Sequence, residues 1–451
     1  MLKTILYIYL FICISTVLNA QETVSQLFTL NKSLEYAYEH NADVLNKVLD
    51  RKIADKQINE VLSEGLPQLN ADAGLNYNYQ VQTSLLDASN FDPTAPEGAE
   101  IPVQFGQAYG AQAQITLEQL IFKGSYFVGI QAAKAFKEFA EKDYTNSKVD
   151  LAEAVSKAYY NALISKEQEQ LSFKNYDRID SLYRETKGLY ENGFAESLDL
   201  LRSQVEFNNI KVERDRATEF KDASYRMLKL IMGYPANSPI ELSDKLEDLD
   251  LGMDLSAVET FNYQNRSDYK LLNANLSLAE LDVKNEKVQY YPEVNAFVNY
   301  GSNTNTGQAS QIFDFGDRWF GFGTLGATVT VPIFDGFRKS SRIKQREITI
   351  QKIQNQFEQL ENSIDAELIE KQDRLRTDIR NVELQRENVE LAEEIYRAAK
   401  LKYDEGIGSS LEVTDANTSL KTAQTNYFNA VFDALITRIE LKKALGILLE
   451  N

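Results

Sequence analysis

Four segments of the chain alternate apolar and polar residues over the length of a long β-strand. The clearest is LNADAGLNYNYQVQ at 69–82, where apolar side chains occupy the odd positions and polar or small ones the even positions. Because successive side chains of a strand point to opposite faces, this pattern predicts a strand with one apolar and one polar face. The same alternation predicts strands at 107–120, 294–301 and 320–334.

Between these strands, apolar residues recur every three, four or seven positions, which is typical of helices packed along one side. No glycine or proline interrupts the pattern over 337–405, so we predict one helix about 100 Å long, at about 1.5 Å per residue. A counterpart is predicted at 125–186, with shorter helices at 32–63 and 197–232. Two short helices end to end match one long helix, which predicts four staves of equal length, two continuous and two composite.

The order of these elements occurs twice, which indicates an internal tandem duplication. LYENGFAESLDLLRSQ at 189–204 matches KYDEGIGSSLEVTDAN at 402–417, at an offset of 213 residues. MLKLIMG at 227–233 matches ELKKALG at 440–446 at the same offset. We therefore predict two copies of one unit, each with a helix, a strand hairpin, a long helix and a shorter helix.

The predicted domain boundaries follow from this repeat. The first copy covers 21–233 and the second 256–451, with a linker at 234–255 between them. The first copy is longer because its hairpin contains the loop 84–106, whose acidic and proline-rich composition predicts an exposed position.

Residues 1–20 are predicted to form a secretory signal peptide. They contain one lysine, an apolar run over residues 5–14 and a small residue, Ala20, before the expected cleavage at Gln21. The apolar run is too short for a membrane-spanning helix. The only cysteine, Cys13, lies inside this segment, so the mature chain has no thiol for a disulfide or a cysteine metal site.

Composition excludes several function classes. The net charge of −19 argues against nucleic-acid binding. The single histidine, His40, cannot form a histidine cluster for zinc, and no mature thiol accompanies it for nucleophilic catalysis. GFGTLG at 321–326 fits a dinucleotide-binding fingerprint, but it lies within a predicted strand instead of opening a helix. We therefore predict no enzyme activity, no cofactor and no metal site.

The alternating strands are predicted to face lipid. Alternation alone is more typical of a half-buried strand in a soluble protein, but these hairpins lie between helices too long to cover a sheet face. Aromatic side chains near the strand ends are typical of a membrane–water boundary: Tyr77, Tyr79, Tyr109, Trp319, Phe320 and Phe322. Four strands cannot close a barrel, and open edges are not stable in lipid, so several copies must pool their strands.

These segments resemble the outer-membrane efflux channel family (TolC-like outer membrane factors) over nearly the whole mature chain. The most specific parts are the repeated turn at Tyr190–Asp199 and Tyr403–Glu412 and the strand-to-helix junction VPIFDGFRKSSRI at 331–343. The resemblance implies a mixed α and β membrane protein. It would be a homotrimer with four strands per chain in a 12-stranded outer-membrane β-barrel, continuous with a long periplasmic α-helical barrel.

The resemblance also implies a function and its partners. The protein would be a passive exit duct of a tripartite efflux or type I secretion system, in the outer membrane and extending into the periplasm. Its partners would be outer-membrane lipid, a periplasmic adaptor and an inner-membrane transporter of the RND, ABC or MFS type. The exported substrate is not specified by the sequence.

Specific residues follow from the same resemblance. Glu412 and Asp415 would form the channel entrance constriction, where three chains bring carboxylates together and attract cations. The periplasmic tip, where the adaptor docks, would comprise Tyr190, Gly193, Asp199, Arg202, Tyr403, Gly406 and Gly408. Arg202 stands where the second copy has Asp415, and Gly408 stands where well-known members carry a basic gating residue, so closure by that ion pair is not implied here.

Other interpretations remain open at this level. The carboxylate pair is also typical of a solvated helix face, and the tip glycines are also typical of ordinary turns. An exported trimeric coiled-coil tether or adhesin would use the same helical pattern, although it would need no strand hairpins. A periplasmic hydrolase would need a carboxylate pair in a cleft, which nothing in the sequence singles out.

Overall fold

A computed structural model describes residues 26–91, 93–94, 96, 98–253 and 256–449. The predicted signal peptide with Cys13 and its cleavage point lies outside these residues, as do positions 254 and 255 of the predicted linker. The described chain forms two compact units. One, the helical unit, runs to Arg51 and includes Ala140–Asn273 and the residues from Asn355 onward; the other, the sheet unit, comprises Lys52–Phe139 and Ala274–Gln354.

The elements alternate as the repeat predicts. The helices are α1 (Leu30–His40), α2 (Ala42–Ser63), α3 (Gly124–Glu191), α4 (Ser197–Met232), α5 (Ser256–Glu259), α6 (Ser267–Val288), α7 (Arg338–Asp404) and α8 (Ser410–Ala444). The strands are β1 (Gln26–Phe28), β2 (Gln68–Tyr77), β3 (Thr83–Asp87), β4 (Glu100–Gln104), β5 (Tyr109–Phe122), β6 (Ile240–Leu242), β7 (Glu293–Thr306) and β8 (Phe320–Thr330). With 68 and 67 residues, α3 and α7 confirm the prediction of two long uninterrupted helices.

The helix predicted at 32–63 is two helices, because the backbone leaves the helical region at Asn41 (φ −69°, ψ 129°). The Asn41 Oδ1 atom accepts hydrogen bonds from the backbone N–H groups of Asp43 (2.9 Å) and Val44 (3.3 Å) and so caps α2. Its Nδ2 atom donates to the carbonyl of Ile231, near the end of α4, at 2.9 Å. The end of α4 therefore contacts the start of α2, as expected for a composite stave.

The core of the helical unit lies along α3 and the C-terminal halves of α4 and α8. Its most buried large side chains include Val155, Tyr159, Leu163, Leu228, Met232 and Leu435. Full burial of each aliphatic side chain contributes about 1.5–3 kcal/mol. Tyr159 also donates to Asp244 Oδ2 at 2.7 Å, and burial, together with this carboxylate, raises the pKa of the Tyr159 phenol. No helix within the described residues has the length and apolar character needed to cross a membrane.

The sheet unit contains a four-stranded antiparallel sheet with strand order β2-β5-β7-β8. Its register aligns Leu69, Leu117, Val298 and Leu325 across all four strands on one face. That apolar face is open, since Leu69 and Leu325 are 69% and 80% exposed. Within the described residues, the outer edges of β2 and β8 pair with no further strand.

Several strand boundaries differ from the predictions; β5, for example, covers Tyr109–Phe122 instead of 107–120. β2 ends at Tyr77 instead of continuing to 82. β7 extends beyond 301 to Thr306, because residues without apolar alternation still pair with β5. β8 ends at Thr330 instead of 334, where Pro332, which lacks a backbone N–H donor, follows closely.

The loop predicted at 84–106 contains structure of its own. β3 and β4 form a separate two-stranded hairpin in which Thr83 lies opposite Gln104 and Asp87 opposite Glu100. Charged and proline-rich composition therefore indicated an exposed segment here but not its internal pairing.

The GFGTLG segment lies within β8 and opens no helix, which confirms that it is not a dinucleotide fingerprint. Its glycines do not share one face. Gly321 and Gly323 pair with Ser302 and Tyr300 on the apolar side, whereas Gly326 pairs with Phe297 on the polar side.

Candidate functional site

The turn between α3 and α4 is closed by a hydrogen-bonded helix end of the Schellman type. The Gly193 N–H donates to the carbonyl of Tyr190 (3.0 Å), and the Phe194 N–H donates to the carbonyl of Leu189 (2.8 Å). Gly193 has a φ of 80°, which only glycine adopts without steric cost. Tyr190 and Gly193, both predicted at the tip, therefore lie in one turn.

The turn between α7 and α8 repeats this arrangement. The Gly406 N–H donates to the carbonyl of Tyr403 and the Ile407 N–H to that of Lys402, both at 3.0 Å, and Gly406 has a φ of 73°. Gly408 is constrained differently, because a Cβ atom there would lie 3.0 Å from Lys402 Cβ. Close approach of the turn to the last residues of α7 accounts for this glycine without a gating role.

Directly after its glycine, each turn has a large, strongly exposed apolar side chain. Phe194 and Ile407, which directly follow Gly193 and Gly406, are 81% and 79% exposed. In this type of helix end the residue after the glycine usually packs back onto the helix. Large exposed side chains at that position leave an apolar surface at both turns.

Glu412 and Asp415 lie on the exposed face of the first turns of α8. Ser409 caps this helix, since its Oγ atom accepts a hydrogen bond from the Glu412 N–H at 3.2 Å. The opposite face is buried, with Val413 at 1% exposure. In the described part of the chain, neither carboxylate has a basic partner within 4.0 Å, so both charges face outward together.

The residues that align with Glu412 and Asp415 in the matching segment of α4 differ. Asp199 is half-buried, and its Oδ1 atom accepts a hydrogen bond from Ser410 Oγ at 3.3 Å. Arg202 is exposed on α4. Asp199 therefore links α4 to the start of α8, whereas the exposed Glu412 side chain forms no ion pair among the described residues.

Tyr403 joins α7 to α3 near these turns. Its hydroxyl lies 3.0 Å from Thr186 Oγ1, and Thr186, which is 1% exposed, donates in turn to the carbonyl of Leu182 at 2.8 Å. Tyr190, which aligns with Tyr403 in the matching sequence segment, is 41% exposed.

A lysine beside Tyr403 adds an ion-pair bridge between α3 and α7. Lys400 Nζ lies 2.6 Å from Glu185 Oε2 and 2.7 Å from Asp404 Oδ1. Burial lowers the pKa of Lys400, but the hydrogen bonds and charges of these carboxylates raise it by a larger amount, so the net shift is upward. Near the turns, α3 and α7 are thus linked by the Tyr403–Thr186 hydrogen bond and the Lys400–Glu185 ion pair, while Asp404 pairs with Lys400 within α7.

The register of the sheet divides the predicted aromatic belt. Tyr77 and Tyr109 lie opposite each other on the apolar face with ring centroids 4.8 Å apart. Phe320 and Phe322 pair with Asn303 and Gly301 on the polar face. These four side chains therefore do not form one belt, because the alternation of β8 turns its two phenylalanines to the other side.

The other two aromatic residues lie outside the strands. Tyr79 follows β2 and is 87% exposed. Trp319 directly precedes β8, donates from Nε1 to the carbonyl of Ile312 at 2.8 Å and stacks on Phe315 with 5.5 Å between ring centroids. Across the residues that the structure describes, no group of three or more histidine, cysteine, aspartate or glutamate side chains could hold a metal ion.

Comparison with known proteins accounts for this combination of a strand hairpin pair and long helices. The chain is 23% identical to "Outer membrane protein TolC" of Vibrio cholerae over 92% of its own length and 90% of the relative. It is 22% identical to "Outer membrane protein TolC" of Escherichia coli over 98% and 86% of the two chains. The crystal structure of the outer membrane protein VceC of Vibrio cholerae shares the fold, with a TM-score of 0.69 at 17% identity over 92% of this chain and 96% of that one.

The sequence profile described as "Outer membrane efflux protein" matches residues 34–233 and 263–447, far more than half of the chain. This family consists of channel proteins and not of enzymes. The chain therefore belongs to the outer membrane efflux protein family, and it serves in the outer membrane as the exit duct of a tripartite efflux system.

Proposed function

We propose that the protein is a passive duct in which three copies pool their strands into one closed 12-stranded outer-membrane barrel, continuous with a periplasmic helical barrel. The observation that carries this proposal is the four-stranded sheet, with its exposed apolar face and two unpaired edges, β2 and β8. Every backbone polar group in lipid must be satisfied within protein. Pairing β8 of one copy with β2 of the next satisfies both edges and leaves the apolar face toward lipid.

The proposal includes a tandem duplication, with copies at 21–233 and 256–451 and a linker at 234–255. Its support is a contact that occurs once in each copy. A Cβ atom on Gly233, after α4, would lie 2.5 Å from the carbonyl oxygen of His40, and one on Gly446, after α8, would lie 2.7 Å from that of Asn265. The glycine that follows each of these two helices thus packs against a backbone carbonyl in the same way.

The duplication also identifies a lateral surface for assembly. In α8, Glu440 and Lys443 form ion pairs with α3, each at 2.7 Å. The residues of α4 at the offset of 213 are Met227 and Leu230, which are 53% and 73% exposed. We infer that α4 contacts α7 of the neighbouring copy in the way that α8 contacts α3 within one copy. The polar contact inside the chain becomes an apolar contact between chains.

The turns would serve as the periplasmic tip. Phe194 and Ile407 give an adaptor protein an apolar surface to bury, beside the glycines that shape each turn. Energy would come from an inner-membrane transporter of the RND, ABC or MFS type. Glu412 and Asp415 from three copies would place six carboxylates at the entrance, which favours cations over anions.

Planar-bilayer conductance of the detergent-purified protein tests the duct and its entrance together. We expect a steady cation-preferring conductance that loses its preference in Glu412→Ala/Asp415→Ala. Conductance with unchanged selectivity in that variant would retain the duct and reject the constriction. A protein that stays soluble without detergent and conducts nothing would instead favour the coiled-coil tether.

Native mass spectrometry of the Leu230→Asp variant, which measures the fraction of trimers, tests the lateral surface. A carboxylate at this position has to be desolvated in the assembled protein, so we expect fewer trimers. The control is Asn209→Asp, which adds the same charge on the same helix at a position exposed in both α4 and, as Thr422, in α8. Equal trimer fractions in the two variants would reject this surface.

A further inference from the structure

Three polar side chains form a closed hydrogen-bonded network inside the helical unit. Asn417 on α8 donates from Nδ2 to Asn175 Oδ1 on α3 at 2.8 Å. Arg178, one turn further along α3, donates from Nε to Asn417 Oδ1 at 3.2 Å and from Nη2 to Asn175 Oδ1 at 3.4 Å. Each of the three residues therefore bonds to both of the others.

The network is enclosed by packed helices. Asn417 and Asn175 are 1% and 2% exposed. The Arg178 guanidinium lies 5.5 Å from the ring centroid of Tyr396, so α7 also contributes to the enclosure. Among the described residues no carboxylate forms an ion pair with Arg178, whose partners are two amide oxygens and an aromatic ring.

The position of the network relates it to the entrance carboxylates. Asn417 follows Asp415 by two residues, which is about 200° around a helix with 3.6 residues per turn. Asn417 therefore lies on the buried face of α8, together with Val413 and Leu420, while Glu412 and Asp415 lie on the exposed face. Rotation of α8 that turned these carboxylates inward would break the bonds of Asn417.

A general requirement for packing does not explain these residues. Replacing a buried polar network by apolar side chains of similar volume is often neutral or stabilising. Single buried asparagines are, however, known to fix the register of packed helices.

We propose that Asn175, Arg178 and Asn417 are positioning residues that fix the rotation and register of α8, so that Glu412 and Asp415 project together at the channel entrance. This inference rests on the proposed constriction. An apolar interface would hold α8 against α3 equally well, but in more than one register. The network selects one register because only one register forms all three of its hydrogen bonds.

The test uses Asn175→Leu/Arg178→Met/Asn417→Leu in the full-length, detergent-purified protein. We expect trimers as heat-stable as the unaltered protein, with a reversal potential in a KCl gradient that moves toward that of Glu412→Ala/Asp415→Ala. The control is Asn209→Leu, which replaces an exposed amide on α4 and should change neither property. Unaltered selectivity of the triple variant, in a protein whose carboxylate variant does lose selectivity, would overturn the proposal.

A second measurement reports the register of α8 independently of the ion selectivity. The only cysteine of the chain is Cys13 in the predicted signal peptide, so Ser419→Cys, exposed on the same face as Glu412 and Asp415, accepts a single spin label. We expect one narrow distance between copies, replaced by several in the triple variant. A single narrow distance in both proteins would overturn the inference even if the constriction itself failed. If the triple variant does not assemble, Asn417→Ala, which removes two of the three bonds, replaces it in both measurements.

Discussion

The carbonyl oxygen of His40 lies only 2.5 Å from the position that a Cβ atom on Gly233 would occupy. Gly233 has a φ of 71°, so two independent constraints require glycine at the end of α4. The turn glycine Gly193 also has a positive φ, of 80°, but no atom lies within 4 Å of its Cβ position. A comparison of substitutions at the two glycines therefore distinguishes the cost of the positive φ from the cost of the steric clash.

Gly233→Ala should consequently destabilise the protein more than Gly193→Ala. An alanine in the left-handed region costs about 1–2 kcal/mol, and at Gly233 the clash with backbone atoms of α1 adds to this cost. Thermal unfolding followed by circular dichroism should show a clear fall in Tm for Gly233→Ala and a smaller one for Gly193→Ala. Equal falls in Tm would mean that the backbone between α1 and α2 moves away from the added methyl group at no cost in free energy.

Tyr403→Phe should loosen the contact between α3 and α7 near the turns. The variant removes the hydrogen bond to the buried Thr186, which is worth about 1 kcal/mol. Hydrogen exchange of the last turn of α7 should accelerate about five-fold, since 1 kcal/mol corresponds to roughly this ratio at 25 °C. Tyr190→Phe, at the corresponding but half-exposed position, serves as the control and should exchange as the unaltered protein does.

Glu440→Gln should make the helical unit less stable at neutral pH and less sensitive to acid. Burial raises the pKa of Glu440, but hydrogen bonds from Lys157 and Lys371 lower it by a larger amount, so its folded pKa lies below the usual value. The stabilisation is fully present above the ordinary glutamate pKa of about 4.3 and is lost as the pH falls through the lower folded value.

Unfolding midpoints in urea at pH 7 and at pH 3 would measure this dependence. At pH 7 the free energy of unfolding should fall by about 1.5–3 kcal/mol, the contribution of a hydrogen bond to a charged group. The difference in free energy of unfolding between the variant and the unaltered protein should narrow at pH 3. Glu358→Gln, at an exposed position of α7, is the matched control. A gap of constant size at both pH values would show that the charge of Glu440 contributes nothing.

The sequence predicted the elements of this fold more reliably than their ends. Uninterrupted helical spacing was sufficient for α3 and α7, because no competing signal occurs along them. The break at Asn41 was missed because asparagine is tolerated within helices. Its Oδ1 atom caps α2 locally, and only its Nδ2 atom bonds to a distant residue, at the carbonyl of Ile231. The extension of β7 to Thr306 was missed for a similar reason, since its pairing with β5 overrides the local pattern.

For the candidate site, the glycine turns were predictable and their surroundings were not. The repeated motif located Gly193 and Gly406, and their positive φ values follow from the helix ends that they close. The exposure of Phe194 and Ile407 and the burial of Asn417 depend on how distant helices pack. The faces of Phe320 and Phe322 could have been read from the alternation of β8, which places them with Thr324 and opposite Leu325.

That same alternation yields the sharpest test of the sheet. Leu325→Arg and Thr324→Arg introduce the same charge at adjacent positions of β8, both exposed in the single chain but on opposite faces. If the apolar face meets lipid, arginine at 325 should cost about 2–4 kcal/mol near the bilayer midplane, whereas arginine at 324 should face water in the duct. We expect far less folded Leu325→Arg protein in lipid vesicles, judged by the heat-resistant trimer on gels, and near-normal yield for Thr324→Arg. A higher yield of Leu325→Arg than of Thr324→Arg would mean that the apolar face meets water and the polar face meets lipid. That result would contradict the proposed barrel.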